Sequence, residues 1–191
     1  MKTTWSDIPK EIQVFLKRAA LIFIIWKLIY HLFLFNGRII DAPLTHISSA
    51  GARWTLQQMH PGSETGIREE CNPDLVTNEI VCMDMLLLSG RKVVGVADPC
   101  NALELYVLYI GFLFSFPSSF KKILLFSIIG VAAIYIANII RLVLLAQMYL
   151  HNMSARDFAH HYLFKAVVYA LTFVLWVLFV KKTQKDEVAA A

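Results

Sequence analysis

Between Ile123 and Leu150 the chain runs for 28 residues with a single charged side chain, Arg141. A water-soluble helix needs a polar face, and this segment has almost none. About 20 apolar residues suffice to cross the hydrocarbon core of a bilayer. Three further apolar stretches follow the same pattern, at about 19–36, 101–118 and 161–180. Hydrophobic residues make up 58% of the chain and charged residues only 17%, against roughly 25% charged in soluble domains. The sequence therefore predicts an integral membrane protein. Its expected fold is an all-α polytopic bundle of about four transmembrane helices, one membrane domain over 1–191.

The N-terminal stretch from Trp5 to Ala20 is amphipathic, and no small-residue cleavage site follows the first apolar run. It reads as part of the protein rather than as a cleavable signal. Lys and Arg in short flanks set orientation. They cluster before the first span (Lys2, Lys10, Lys17, Arg18), between the second and third (Lys121, Lys122) and after the fourth (Lys181, Lys182, Lys185). With four spans all three flanks lie on one side. They are expected in the cytoplasm, with both termini. The connection 37–99 and the short loop from His151 to Ala159 are then extracytoplasmic. A net charge of +4 gives no sign of nucleic acid.

The long outer loop predicts three parts. Ala42 to His60 suits an interfacial amphipathic helix. Pro61 to Asp74 is turn-rich. Val81 to Asp98 reads as a β-hairpin around Ser89-Gly90, leading directly into Cys100.

Polar groups within a membrane span are costly and often functional. Arg141 and Asn138, one turn apart in the third span, are the strongest such group. Arg141 lies roughly 27 Å from Ile123 at about 1.5 Å per residue, near the outer edge of the hydrocarbon. A snorkelling arginine that ends the span is the plain alternative, but apolar residues continue to Leu150. His160 and His161 open the fourth span from the same side. His161, Lys165, Tyr169 and Thr172 share the more polar face of that helix, which predicts that His161 rather than His160 faces the bundle. Cys100 opens the second span, also from outside.

Thiol, guanidinium and imidazole are thus expected at one membrane depth. Orientation was set by cytoplasmic lysines and arginines, so this convergence is independent of it. A nearby imidazole or cation activates a thiol as a nucleophile. Arg141 would hold a developing oxyanion, and an imidazole would act as base and then acid. Candidate catalytic residues are Cys100, Arg141, His161 and His160; Asn138, Asn101 and Glu104 are supporting candidates. Glu104 reads best as an ion-pair partner of Lys27 or Lys165. Cys71 and Cys82 could pair in an oxidising compartment, leaving Cys100 as the free thiol. No Cys-x-x-Cys motif is present, which argues against a thiol oxidoreductase or a zinc site; no metal or other cofactor is expected.

These residues resemble the exosortase/archaeosortase family of multi-pass membrane cysteine transpeptidases, most closely its short Bacteroidetes-type members. The resemblance spans roughly Val93 to Val180. It rests on "PCNAL" around Cys100, "ANIIRL" with Asn138 and Arg141, and "AHHYLFKAVVY" with the two histidines. The family often has Cys-x-Gly at the cysteine; here Ala102 stands in the glycine's place. The resemblance implies a cysteine peptidase that cleaves a C-terminal sorting signal on exported proteins. That signal comprises a short motif, a transmembrane helix and a basic tail, and the new C-terminus passes to an acceptor. The implied partners are those exported proteins and the lipid bilayer. The alternatives are a non-enzymatic membrane export or assembly factor, or a small transporter. The absence of Asp and Glu from the third and fourth spans weakens proton-coupled transport.

Overall fold

The computed structural model describes residues 9–35, 37–73, 80–151, 153–154 and 156–190, without the side chains of Glu11, His161 and 187–190. Helix α1 (Lys10–Ile29) continues through a π-helical turn at Tyr30–Leu34. Helix α2 (Asp41–Met59) is followed by strands β1 (Thr65–Pro73), β2 (Ile80–Leu88) and β3 (Arg91–Ala97). A 3₁₀ turn at Asp98–Cys100 leads into α3 (Leu103–Ser115), then α4 (Phe120–Leu150). The last helix comprises α5 (Arg156–Phe158), a π turn (Ala159–Leu163) and α6 (Phe164–Ala190).

Two helical segments, Phe120–Leu150 and Phe164–Asp186, are long and apolar enough to cross a membrane. Helix α3 is apolar but shorter: at 13 residues it spans only ~20 Å. Ala102 and Asn101 delay its start, and Pro117 follows its end, so it covers less than the expected 101–118. Helix α1 joins the amphipathic N-terminal stretch to the first apolar run without a break. These helices leave large apolar side chains exposed, among them Leu28 and Phe33 on the first, Ile128 and Ile136 on α4, and Phe173 and Leu178 on α6. Only 22% of the most apolar window of α4 is buried. Such faces suit lipid rather than water.

Side-chain contacts fix the helix directions. Phe15 stacks on Phe112 and Trp176, whereas Lys27 reaches Glu104, so α1 and α3 are antiparallel. Phe126 meets Phe179 and Lys122 pairs with Asp186, so α4 and α6 are antiparallel too. The start of α1, the α3–α4 connection and the end of α6 gather at one end. A Cβ on Gly130 would strike the ring of Tyr109, which is fully buried and donates a 2.9 Å hydrogen bond to the Phe126 carbonyl. Glycine is what lets α3 and α4 approach there.

At the other end, α2 and the sheet cover the second half of α4. The sheet order is β1-β2-β3, all antiparallel. Ser89 and Gly90 join β2 to β3 with positive φ at both positions (48° and 76°), the geometry a tight hairpin prefers. The segment read as turn-rich holds β1, a polar strand paired with β2 along its length from Thr65 to Pro73. Its Thr, Arg, Glu and Asn content hid it, because its side chains are largely exposed and leave no apolar alternation to read. Cys71 faces Cys82 across this ladder and forms a disulfide.

Two cores result. One lies between α2, β2, β3 and the later turns of α4 (Ala52, Leu56, Leu86, Val96, Leu142, Ala146). The other lies within the helix bundle (Tyr109, Leu113, Ile134, Val168, Phe179). Cys100 is packed against the first, and Ala102 belongs to the second.

Candidate active site at the junction of the two cores

Cys100 ends the 3₁₀ turn, is partly buried, and is the free cysteine. The peptide carbonyl of Cys100 lies where the chain breaks helical geometry, so the following turn does not supply its donors. Two side chains of α4 do. Asn138 Nδ2 donates to it at 3.0 Å and Arg141 Nη2 at 3.2 Å. Buried carbonyls need such partners, so both residues hold the cysteine's backbone. Asn138 is 2% exposed. The Nε of Arg141 is buried with no hydrogen-bond partner among the described residues.

The backbone break has a definite cause. Ala102 sits in the left-handed region, with φ 67° and ψ 13°. An L-residue is disfavoured there by roughly 1–2 kcal/mol relative to glycine. This is the position where the resemblance expects glycine, and the reason is conformational. Ala102→Gly should stabilise the protein by about 0.5–1 kcal/mol after glycine's extra chain entropy is counted. Ala102→Val should destabilise it. Thermal unfolding in detergent measures both; a loss of stability on Ala102→Gly contradicts the strain argument.

Asn101 restarts the helix. Its side-chain oxygen accepts from the Leu103 amide at 2.8 Å, an Asx turn that satisfies the first amide of α3. Its Nδ2 donates to Asp41 Oδ1 at 3.0 Å, and the residue is 1% exposed. Tyr30 donates to the other Asp41 oxygen at 2.8 Å. Just before Cys100, Asp98 receives Arg38 in a bidentate pair at 2.6 and 2.8 Å, and Thr45 at 2.9 Å. The Asp98 hydrogen bonds raise the Arg38 guanidinium further above its ordinary range, so Arg38 stays cationic. Arg38 also reaches Glu69 at 3.2 Å on the disulfide-linked strand. Sequence reasoning missed Tyr30, Arg38, Asp41, Thr45 and Asp98. The only sequence signal was the adjacency of Asp98 and Asn101 to Cys100.

The remaining candidates lie further off. Glu104 pairs with Lys27 at 2.6 Å, and its side chain is 72% exposed. His160 lines an open cavity of about 460 Å³ with Leu145 and Tyr149 of α4 and residues 92–95 of β3. Leu145 and Tyr149 lie ~6 and ~12 Å beyond Arg141 along the helix axis. Cys100, Asn138 and Arg141 are not among the residues lining that cavity. The side chain of His161 lies outside the described residues.

Of the face expected to look inward on the last helix, the described residues divide. Lys165 and Tyr169 are exposed, whereas Ala159, Val168 and Thr172 are buried. A π turn precedes Lys165 and Tyr169: the Phe164 amide bonds to the Ala159 carbonyl, one residue further back than in an α-helix. A face extrapolated with 3.6-residue periodicity through that turn is rotated.

Residues 14–179 match the family described as transmembrane exosortase. No curated protein and no solved structure gave a significant match. The match covers most of the chain, including both long apolar helices and the segments that carry Cys100, Asn138, Arg141 and the paired histidines. The chain belongs to the transmembrane exosortase family.

Proposed function

We propose that this protein is a membrane cysteine peptidase–transpeptidase that cuts a C-terminal sorting signal from exported proteins. The reaction takes place at the outer side of the cytoplasmic membrane. Four spans thread the chain, at about 19–36, 101–118, 123–150 and 161–180, with both termini in the cytoplasm. The cytoplasmic lysines and arginines support this threading. So does the gathering of the α1 start and α6 end away from Cys100.

The Cys100 thiolate attacks the carbonyl of the scissile peptide bond, and Arg141 stabilises the oxyanion that forms. His161 or His160 takes the thiol proton and returns it to the leaving amine. The remaining thioester passes its acyl group to an acceptor nucleophile, regenerating the thiol. Asn138 and Asn101 fix the cysteine's backbone, and Glu104 pairs structurally with Lys27.

One observation carries this reading. Arg141 spends one nitrogen on the Cys100 carbonyl and keeps a buried N–H that has no partner among the described residues. A buried donor without a partner calls for an explanation, and a substrate oxygen supplies one. Substrate would also occupy the distance between His160 and the thiol, since catalytic hydrogen bonds often tighten only in the complex.

The test is co-expression with exported proteins that end in a motif, an apolar helix and a basic tail, each carrying a C-terminal tag. The proposal expects at least one to lose its tag only when this chain is present. Retention of the tag by every such protein of the host would overturn it.

A further inference from the structure

Strand β3 is the outer strand of its sheet, paired with β2 on one side. The cavity beside it is lined by residues from both of its faces. Val93 and Val94 belong to the side packed on the outer core. Gly95 is cross-strand partner to Met85, which also lines the cavity with Lys92. Four consecutive β3 residues, 92–95, therefore border one open space. A cavity that reaches both faces of a strand also borders its hydrogen-bonding edge. Leu145 and Tyr149 of α4 form the opposite wall, with His160, Arg156 and Asp157 at the start of the last helix.

In the chain, this strand leads directly into the turn that carries the thiol. Register between β2 and β3 shifts after Lys92, which leaves Val93 bulged. Such bulges discourage edge pairing where they occur. From Val94 to Ala97 the ladder is regular, with Leu86↔Val94, Met85↔Gly95, Asp84↔Val96 and Met83↔Ala97. Ala97 is followed at once by the turn that ends in Cys100. The pairing stretch is ~13 Å long at about 3.3 Å per residue. The cavity volume of about 460 Å³ falls within the roughly 300–1,000 Å³ of ligand sites.

We infer that the substrate segment preceding the scissile bond binds as an extended strand on the β3 edge, parallel to Val94–Ala97, delivering its carbonyl to Cys100. This rests on the proposed cysteine chemistry and adds how the substrate is recognised. A peptide whose cleaved carbonyl meets Cys100, and whose earlier residues lie back along β3, necessarily runs in the β3 direction. Main-chain hydrogen bonds supply affinity independent of sequence, and alternate side chains meet different walls. One set faces Val94, Leu145 and Tyr149 and favours apolar residues; the other faces Met85 and Lys92. The recognised class is an extended peptide with alternate apolar residues.

The test uses the full chain with its disulfide intact, so that Cys100 is the reactive thiol. The probe is a short peptide of alternating threonine and valine, ending in a cysteine activated as a mixed disulfide. Its control is the same peptide with every backbone nitrogen methylated, which tethers but cannot donate hydrogen bonds. Amide hydrogen exchange is read over residues 94–97. The unmethylated peptide should slow exchange there by tenfold or more, and the methylated one should not.

Equal exchange with both peptides would overturn edge pairing. So would refusal of both peptides by a Cys100 that a small thiol reagent modifies. Protection already present without peptide, and rising with protein concentration, would assign the edge to a second copy and overturn the proposal as well. Failure of the small reagent to modify Cys100 is a different result: it overturns the cysteine chemistry itself.

Discussion

Cys100→Ala should abolish tag loss from the proposed substrate, with a fall in rate on the order of 10⁵-fold or more, as for removal of a nucleophile elsewhere. The fold should survive. Cys100 is only partly buried, and the contacts that place it involve its backbone carbonyl, which alanine keeps. Thermal unfolding of the purified variant should therefore shift by only a few degrees, the effect of about 1 kcal/mol. Cys100→Ser should be almost as inactive, because an alcohol is far harder to ionise than a thiol. Processing by the alanine variant at an appreciable rate would leave a non-enzymatic export factor as the better account.

Arg141→Gln should lower the rate of cleavage by about 10²–10³-fold, the usual cost of losing an oxyanion donor, ~3–4 kcal/mol in the transition state. The same change also removes one donor from the Cys100 carbonyl. Asn138 still holds that carbonyl at 3.0 Å, so the stability cost should stay near one ordinary hydrogen bond, about 1 kcal/mol. The two roles are separable. If Arg141 acts only as a backbone anchor, Asn138→Ala and Arg141→Gln should impair cleavage to similar extents. If Arg141 also serves the oxyanion, the arginine variant should be far slower under single-turnover conditions, at comparable melting temperature. Equal losses would reduce Arg141 to a structural residue.

Much of this architecture was visible in the sequence, for physical reasons that differ from element to element. Helix α4 could not be missed, because 28 residues with one charge permit little else. The β2–β3 hairpin was legible because apolar runs flank Ser-Gly. An ion pair of Glu104 with Lys27 or Lys165 followed from the cost of leaving a charge alone within an apolar helix, and the structure selects Lys27. By contrast, β1 was hidden by its polar composition; only its partner strand reveals it. On the last helix Thr172 is buried, as its face predicted, but Lys165 and Tyr169 are exposed, and no residue type announces the π turn that precedes them. The network behind the cysteine was also unreadable. Asp41 and Asp98 are separated by 57 positions, yet both touch Thr45 or Asn101 in the fold. Sequence places such residues in a loop; tertiary structure makes them a support.

That support also explains why Ala102 is tolerated. Its left-handed conformation is disfavoured, but Asn101 is held through Asp41 and its own bond from the Leu103 amide, and Cys100 is held from α4. Strain of this kind persists where the surroundings over-determine the backbone. Whether the same over-determination serves catalysis depends on what forms at the sulfur.

The most direct measurement is therefore the mass of the intact protein, quenched in acid during turnover of a purified cleavable substrate without acceptor. The account predicts a covalent adduct equal to the acyl portion of the substrate, mapped to Cys100 and released by neutral hydroxylamine as a thioester. Processing that continues with no adduct on Cys100, or with the adduct on another residue, contradicts it.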